Sequence, residues 1–307
     1  MKFRLRAPAT SANLGPGFDA LGVALDLFNE LDVEVLPGDG SVRLQLEGEG
    51  AATLPNDESN LVVQVARRYL RERGLARWPR LQLACLNRIP LARGLGSSAA
   101  TRALGVMLGQ MLAHQALNLE ELCQEAARDE GSADNVAACV HGGLVSALAE
   151  GRAVRVLSCP VHPCWKVVVA IPPFPLETER SRQVLPQQVT LQDAVFNTAH
   201  LPWLLQGLAS GEGELVALGC QDRLHQSYRQ SLIPGMGSVF QGALRSGASA
   251  CYLSGAGSTL AAWVDTRQVD PAAVASAMEL AWSPFTSCRT RVLSVLGSGA
   301  DCQIVDA

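Results

Sequence analysis

The chain has no run of 18 or more apolar residues, so no membrane-spanning helix is expected. The basic residues near its start precede no apolar h-region, so no secretory signal is expected either. It has no polybasic tract, and its net charge is -4. A mildly acidic chain with scattered basic residues suits neither a nucleic acid nor an anionic membrane surface as partner. Low-complexity segments and internal repeats are missing as well. Cys159 and Cys164 have a spacing that zinc ligands use, but no second ligand pair follows them. The nine cysteines are dispersed, several within apolar runs (Cys85, Cys139, Cys251). That pattern fits reduced, buried thiols and a cytoplasmic protein.

With 307 residues, 48% of them apolar, the chain exceeds what one core usually serves, and two domains are expected. Alternation and apolar runs predict strands at 2–7, 31–36, 42–47, 81–86, 154–158, 166–171, 249–253, 259–264 and 289–295. Helical periodicity predicts helices over 60–73, 97–115, 119–129, 190–211, 213–230 and 270–281. Strands and helices interleave without strict βα alternation, which favours an α+β class over a doubly wound sheet. A boundary near 150–160 divides the chain into 1–155 and 156–307.

The strongest motif is the run Pro90, Leu91, Ala92, Arg93, Gly94, Leu95, Gly96, Ser97, Ser98, Ala99, Ala100, which opens a long helix. Glycines let backbone N–H groups turn onto an anion, and the helix N-terminus adds partial positive charge. The same residues would also make a plain helix entry capped by serine. A dinucleotide-binding loop needs a shorter helix and an acidic residue about 20 positions on. No lysine follows the loop, so the Walker pattern fails. A second motif, from Pro8 to Asp19, sets Asn13 and Asp19 in a tight loop; its residues equally suit a turn stabilised by its own side chains. A third, Glu130-Gly-Ser132-Ala-Asp134-Asn135, offers a carboxylate that suits Mg²⁺, or simply a helix end followed by a new cap. The fourth, Leu253 to Thr259, is a glycine turn after a strand.

Together these four motifs resemble the GHMP kinase superfamily, and the opening PATSANLGPGFDALG resembles its homoserine kinase branch. ESNLV at 58–62, TERSRQVLP at 178–186 and HQSYRQSLIPG at 225–235 follow in that branch's order. The resemblance covers nearly the whole chain. It implies an N-terminal domain like domain 2 of ribosomal protein S5, with a left-handed βαβ unit. It further implies a ferredoxin-like C-terminal domain, with the active site in the cleft between the two.

By matching positions, the resemblance implies that residues 90–100 wrap the phosphates of ATP and that Ser98 and Glu130 hold Mg²⁺. It puts Asn60 near the adenine and Thr178 near the transferring phosphate. Asn13, Asp19, Asn135, Arg182 and Arg229 match positions that bind L-homoserine. Related sequences often carry His where this chain has Ser132. Other branches place a catalytic Asp where this chain has Asn135. An amide accepts no proton and Asp134 is expected to point elsewhere, so no general base is assigned. Phosphoryl transfer can run on positioning and electrostatic stabilisation. Two alternatives stay open: a GHMP kinase for another small alcohol, and a non-catalytic sensor with this fold. A homodimer also stays open.

Overall fold

A computed structural model describes residues 1–75, 78–128, 130–151 and 153–306. The elements follow in the order β1 (Lys2–Ala12), β2 (Leu21–Leu36), β3 (Val42–Gly48), α1 (Leu61–Glu72), β4 (Arg80–Asn87), α2 (Ser97–His114), α3 (Leu119–Ala127), α4 (Asp134–His141), β5 (Leu144–Glu150) and β6 (Ala153–Cys159). There follow β7 (Trp165–Ile171), α5 (Thr178–Gln183), α6 (Leu191–Ser210), α7 (Gly213–Gly219), α8 (Gln226–Arg229), α9 (Met236–Arg245), β8 (Ala250–Leu253), β9 (Leu260–Asp265), α10 (Pro271–Trp282), β10 (Arg289–Ser294) and β11 (Asp301–Asp306). The predicted helix over 119–129 ends at Ala127, and position 129 lies outside the described residues.

The first sheet runs β11-β1-β2-β4-β3, with β5 paired to the near end of β2 and β6 to β5. Its β3 and β4 are parallel, joined through α1, while the other pairs are antiparallel. Alternation along β1 turns Phe3, Leu5 and Ala7 inward and leaves Lys2, Arg4 and Arg6 to pair with carboxylates on the other face. Helix α1 starts at Asn60, whose side chain accepts from the Val62 N–H, a cap contributing about 1 kcal/mol. Its apolar face packs on α2. There a Cβ added to Gly105 would come within 2.7 Å of Val65, so a small residue sets how closely the two helices approach.

The second sheet is antiparallel, in the order β10-β7-β9-β8. With α9 and α10 it forms a β-α-β-β-α-β unit, the ferredoxin-like arrangement. Residues 167–171 are buried on both faces, which is why they read as an unbroken apolar run. Val167, Val169 and Trp263 join the large core shared with the first sheet, while Val168, Ala262 and Val264 face α9 and α10 around Trp282.

The division expected between 155 and 156 falls inside β6, which belongs to the first sheet. Residues 301–306 return to that sheet and pair with β1. No helix among the described residues is long and apolar enough to cross a membrane.

Candidate active site

The glycine loop that precedes α2 is fixed from both halves of the chain. Gly94 and Gly96 have φ of 76° and 70°, in the left-handed region where only glycine is free of strain. A Cβ on Gly94 would stand 2.1 Å from the Ser254 carbonyl oxygen, and one on Gly96 would stand 1.9 Å from Thr10 Oγ1. The loop is stitched down accordingly. Thr10 N–H donates to Leu95 O, Ser254 Oγ to Gly94 O, and Thr259 N–H to Arg93 O, at 3.1, 2.6 and 3.0 Å. Its N-terminal side is tied by Leu176 N–H, which donates to Ala92 O at 2.9 Å.

Above this loop lies a cavity of about 130 Å³. It collects Asn13, Asp19, Glu130, Asn135, Thr178, Arg182 and Arg229 with Ala92, Arg93, Gly94, Gly96, Ser97, Ser98 and Ala99. Most of the residues expected at a site, far apart in sequence, therefore meet. Pro90 and Leu95 are buried beneath the loop, Ala100 lies in the core, and Leu91 is partly buried; none of them lines the cavity. Asn60 is also off it: besides capping α1, its Nδ2 donates to Pro55 O at 2.8 Å.

The two arginines differ in setting. Arg182, on α5, holds Asp19 through two parallel bonds, Nη1 to Oδ2 and Nη2 to Oδ1, each 2.9 Å. Its hydrogen bonds to Asp19 raise its pKa. Arg229, at the end of α8, is 2% exposed. All its hydrogen bonds among the described residues end on neutral acceptors: Ser181 O at 3.2 Å, Gly255 O at 3.2 Å and His225 Nδ1 at 3.3 Å. Burial pushes this guanidinium down to about 10, with Asp19 opposing that shift and Arg182 adding to it. A buried cation without a carboxylate partner is costly and leaves a place for an anionic ligand.

Asn13 has φ of 71° and uses both ends of its amide: Nδ2 donates to Gly255 O at 2.8 Å, and Oδ1 accepts from Asp19 N–H at 3.0 Å. It sets the shape of the loop from which Asp19 reaches Arg182. Asn135 Oδ1 accepts from Thr10 Oγ1 at 2.7 Å. Glu130 pairs with Arg102 at 3.2 Å. Ser98 stands exposed in the first turn of α2.

One expectation is overturned. Asp134 does not point away; it lines the cavity and is 1% exposed. It begins α4, the helix start that the motif's alternative reading as a new cap allowed for, and the first turn of that helix carries it inward beside Asn135. Its Oδ1 accepts from Ser132 Oγ at 2.6 Å and Asn135 N–H at 2.7 Å. Burial pushes its carboxyl up to about 6, against those two bonds. Phe18 and His225, to which the sequence motifs assign no role, also stand at the site. The Phe18 ring lies 5.3 Å from the Arg229 guanidinium and 5.8 Å from that of Arg182.

Known proteins resemble this chain over most of its length. The model of the GHMP kinases N-terminal domain matches residues 60–143, and that of the GHMP kinases C-terminal domain matches residues 205–283. A homoserine kinase from Synechococcus is 44% identical over 281 residues, spanning 90% of this chain and 87% of that one. One from Moorella thermoacetica is 43% identical over 274 residues, spanning 89% and 91%. The chain belongs to the homoserine kinase family. A crystal structure of homoserine kinase from Cytophaga hutchinsonii superposes with a TM-score of 0.87 at 28% identity, over 98% of this chain and 97% of that one. An L. major mevalonate kinase structure, 13% identical with a TM-score of 0.73 over 96% of each chain, shares the fold. The two-domain GHMP kinase fold is thus common to this homoserine kinase family member and to relatives with other substrates.

Proposed function

We propose that the protein transfers the γ-phosphoryl group of ATP to the hydroxyl of L-homoserine, giving ADP and O-phospho-L-homoserine. The observation that carries this is Arg229: a buried guanidinium whose hydrogen bonds among the described residues all end on neutral acceptors, facing the same cavity as the glycine loop. A planar guanidinium suits a carboxylate, whose two oxygens it can bind together. Arg182 and Asp19 supply a second cation and an anion beside it. A zwitterionic amino acid with a terminal hydroxyl matches that set of charges.

The loop residues 92–99 that line the cavity lie against the ATP phosphates, and α2 directs its N-terminal charge at them. Ser98 and Glu130 offer a hydroxyl and a carboxylate to the same space, hard oxygen donors that fit Mg²⁺ sharing phosphate oxygens and water. When bound, the ion would neutralise charge on the phosphates; Glu130 would then turn from Arg102. In the transfer, the homoserine oxygen bonds to the γ-phosphorus, the bond to the bridging β–γ oxygen breaks, and the hydroxyl loses its proton. Asn135 and Thr178 line the space where that oxygen and phosphate meet. Among the carboxylates lining the cavity, Asp19 and Glu130 are paired with arginines, whereas Asp134 is held by neutral donors. With its pKa pushed up to about 6, Asp134 is suited to receive the proton near neutrality. Most of the acceleration still comes from positioning and charge stabilisation. The nine unpaired cysteines suit the cytoplasm, where we place the protein.

The test is ADP release from purified protein with ATP, Mg²⁺ and a panel of amino-acid and isoprenoid alcohols. Homoserine should stand out. Equal turnover of simple alcohols lacking a carboxylate would overturn the assignment.

A further inference from the structure

The buried Arg229 guanidinium reaches the cavity because of what stands behind it. Asp222 caps the short α8: its Oδ1 accepts from Leu224 N–H at 2.9 Å, and its Oδ2 from His225 and Gln226 N–H at 3.0 and 2.7 Å. Asn197 on α6 secures Asp222 from the far side, donating to Oδ1 at 2.8 Å. This turn carries His225 into a fully buried position under the loop of residues 13–19, where its ring stacks on Phe18 with centroids 5.1 Å apart.

The partners of the imidazole fix its state. Nε2 lies 2.9 Å from the Gly15 carbonyl oxygen and 3.6 Å from Asp222 Oδ2, both of which can only accept, so Nε2 carries a proton. Nδ1 lies 3.3 Å from Arg229 Nη1, which can only donate, so Nδ1 carries none. The ring is neutral, with its lone pair directed at the guanidinium. Burial, with Arg229 adding to it, lowers its pKa, while Asp222 opposes the shift.

We infer that His225 is a positioning residue for the amino-acid substrate: its neutral ring, anchored on Gly15, holds Arg229 in the orientation that presents a guanidinium edge to the ligand carboxylate. This rests on the reading that Arg229 binds that carboxylate. A first-strand loop is thereby coupled to a C-terminal helix through one imidazole. His225 is fully buried and does not line the cavity. Its effect should therefore appear in the homoserine KM and leave the ATP KM alone.

Two variants separate the two ends of the ring. An asparagine side chain can offer an acceptor where Nδ1 sits; a glutamine can offer a donor where Nε2 sits. His225→Asn should keep the homoserine KM within a few-fold of the wild type. His225→Gln should raise it about tenfold or more, as expected when a buried hydrogen bond to a charged group is lost, with the ATP KM unchanged. Wild-type turnover of homoserine is measured first, and its absence would defeat the proposed function rather than this inference. In an Arg229→Met background, His225→Gln should change the homoserine KM no further. Additive effects of the two substitutions, or equal movement of the ATP KM, would overturn the positioning role. The ¹⁵N spectrum of the wild-type imidazoles provides a reading that needs no variant. His225 should appear as the neutral Nε2–H tautomer at pH 7, and a charged ring or an Nδ1–H tautomer would refute the assignment.

Discussion

Arg182 and Asp19 are 163 residues apart in sequence and hold each other through two bonds of 2.9 Å, closing a salt bridge over the cavity. A zwitterionic substrate can replace each partner for the other, its carboxylate taking Arg182 and its ammonium taking Asp19. The pair is about one-third exposed on each side, so it contributes at most about 1 kcal/mol to folding. Arg182→Ala and Asp19→Ala should each leave the melting temperature within a few degrees of the wild type, by roughly that energy. Both should raise the homoserine KM. A large drop in melting temperature with unaltered KM would show the pair to be structural.

Arg229→Met should raise the homoserine KM by about 10²-fold while ATP binding persists, since a buried charge contact is lost. The wild type should reject an analogue without the carboxylate by a similar factor, because the guanidinium would be left unpaired. In Arg229→Met the preference for homoserine over the analogue should shrink by about that factor, with Arg182 retaining the remainder. Steady-state kinetics with both compounds measures this, and an undiminished preference for homoserine would place the carboxylate elsewhere.

Ser98 is exposed in the first turn of α2, and its hydroxyl bonds to no other group among the described residues. Ser98→Ala should therefore fold normally. Loss of a charge contact of roughly 3 kcal/mol in the transition state lowers turnover by about 10²-fold. Full activity in the folded variant, across a Mg²⁺ titration, would remove Ser98 from the metal site.

Asp134 is held at the expense of stability. Its carboxyl moves from an ordinary 3.8 to about 6 on folding, so the folded protein binds this proton more tightly than the unfolded chain. Well below pH 4 both states are protonated and nothing is lost; stability then falls as pH rises through about 4 to about 6, by about 3 kcal/mol in all. Asp134→Asn should be most stabilising at pH 8, by roughly this amount, and much less so at pH 4. Turnover should fall in the same variant. Urea denaturation at the two pH values tests this, and a pH-independent difference would contradict the buried-carboxylate account.

Asn135 donates from Nδ2 to Asp134 Oδ1 at 3.3 Å. Asn135→Asp would set two carboxylates side by side and add negative charge near the phosphates. Turnover should fall, and the pH–rate profile should shift to higher pH as one carboxylate holds its proton. A faster enzyme with a new ionisation would mean that position 135 accepts the proton better than Asp134 does.

Strands 2–7, 42–47, 81–86 and 166–171 were legible because half-buried or fully buried runs leave a plain pattern. Only the last part of β2 reads as a strand, since Leu21 to Leu25 are buried on both faces and do not alternate. The stretch 213–230 reads as one helix; in the fold, Asp222 takes the N–H groups of residues 224–226 and starts α8 afresh. Helix α4 spans eight residues and has no side-chain cap bond, which leaves little for periodicity to detect. At the site, glycine spacing and family resemblance marked the residues that the cavity gathers. The direction of Asp134 is set by the first turn of α4 and its bonds to Ser132 and Asn135, and the role of His225 by Gly15, 210 residues away, and Arg229; neither shows in sequence spacing.

The antiparallel pairing of residues 301–306 with β1 bears on how the protein is made. β1 leaves the ribosome early, yet one of its edges has no partner until β11 has been translated. At about 5–20 residues per second, roughly 7–30 seconds separate the end of β6 from that event. Throughout that interval the nascent first unit exposes an unpaired edge bearing N–H and C=O groups, a template for pairing with another chain. Chaperone occupancy during synthesis, and the yield of soluble protein when residues 301–306 are removed, should reflect that delay more than the stability of the finished fold.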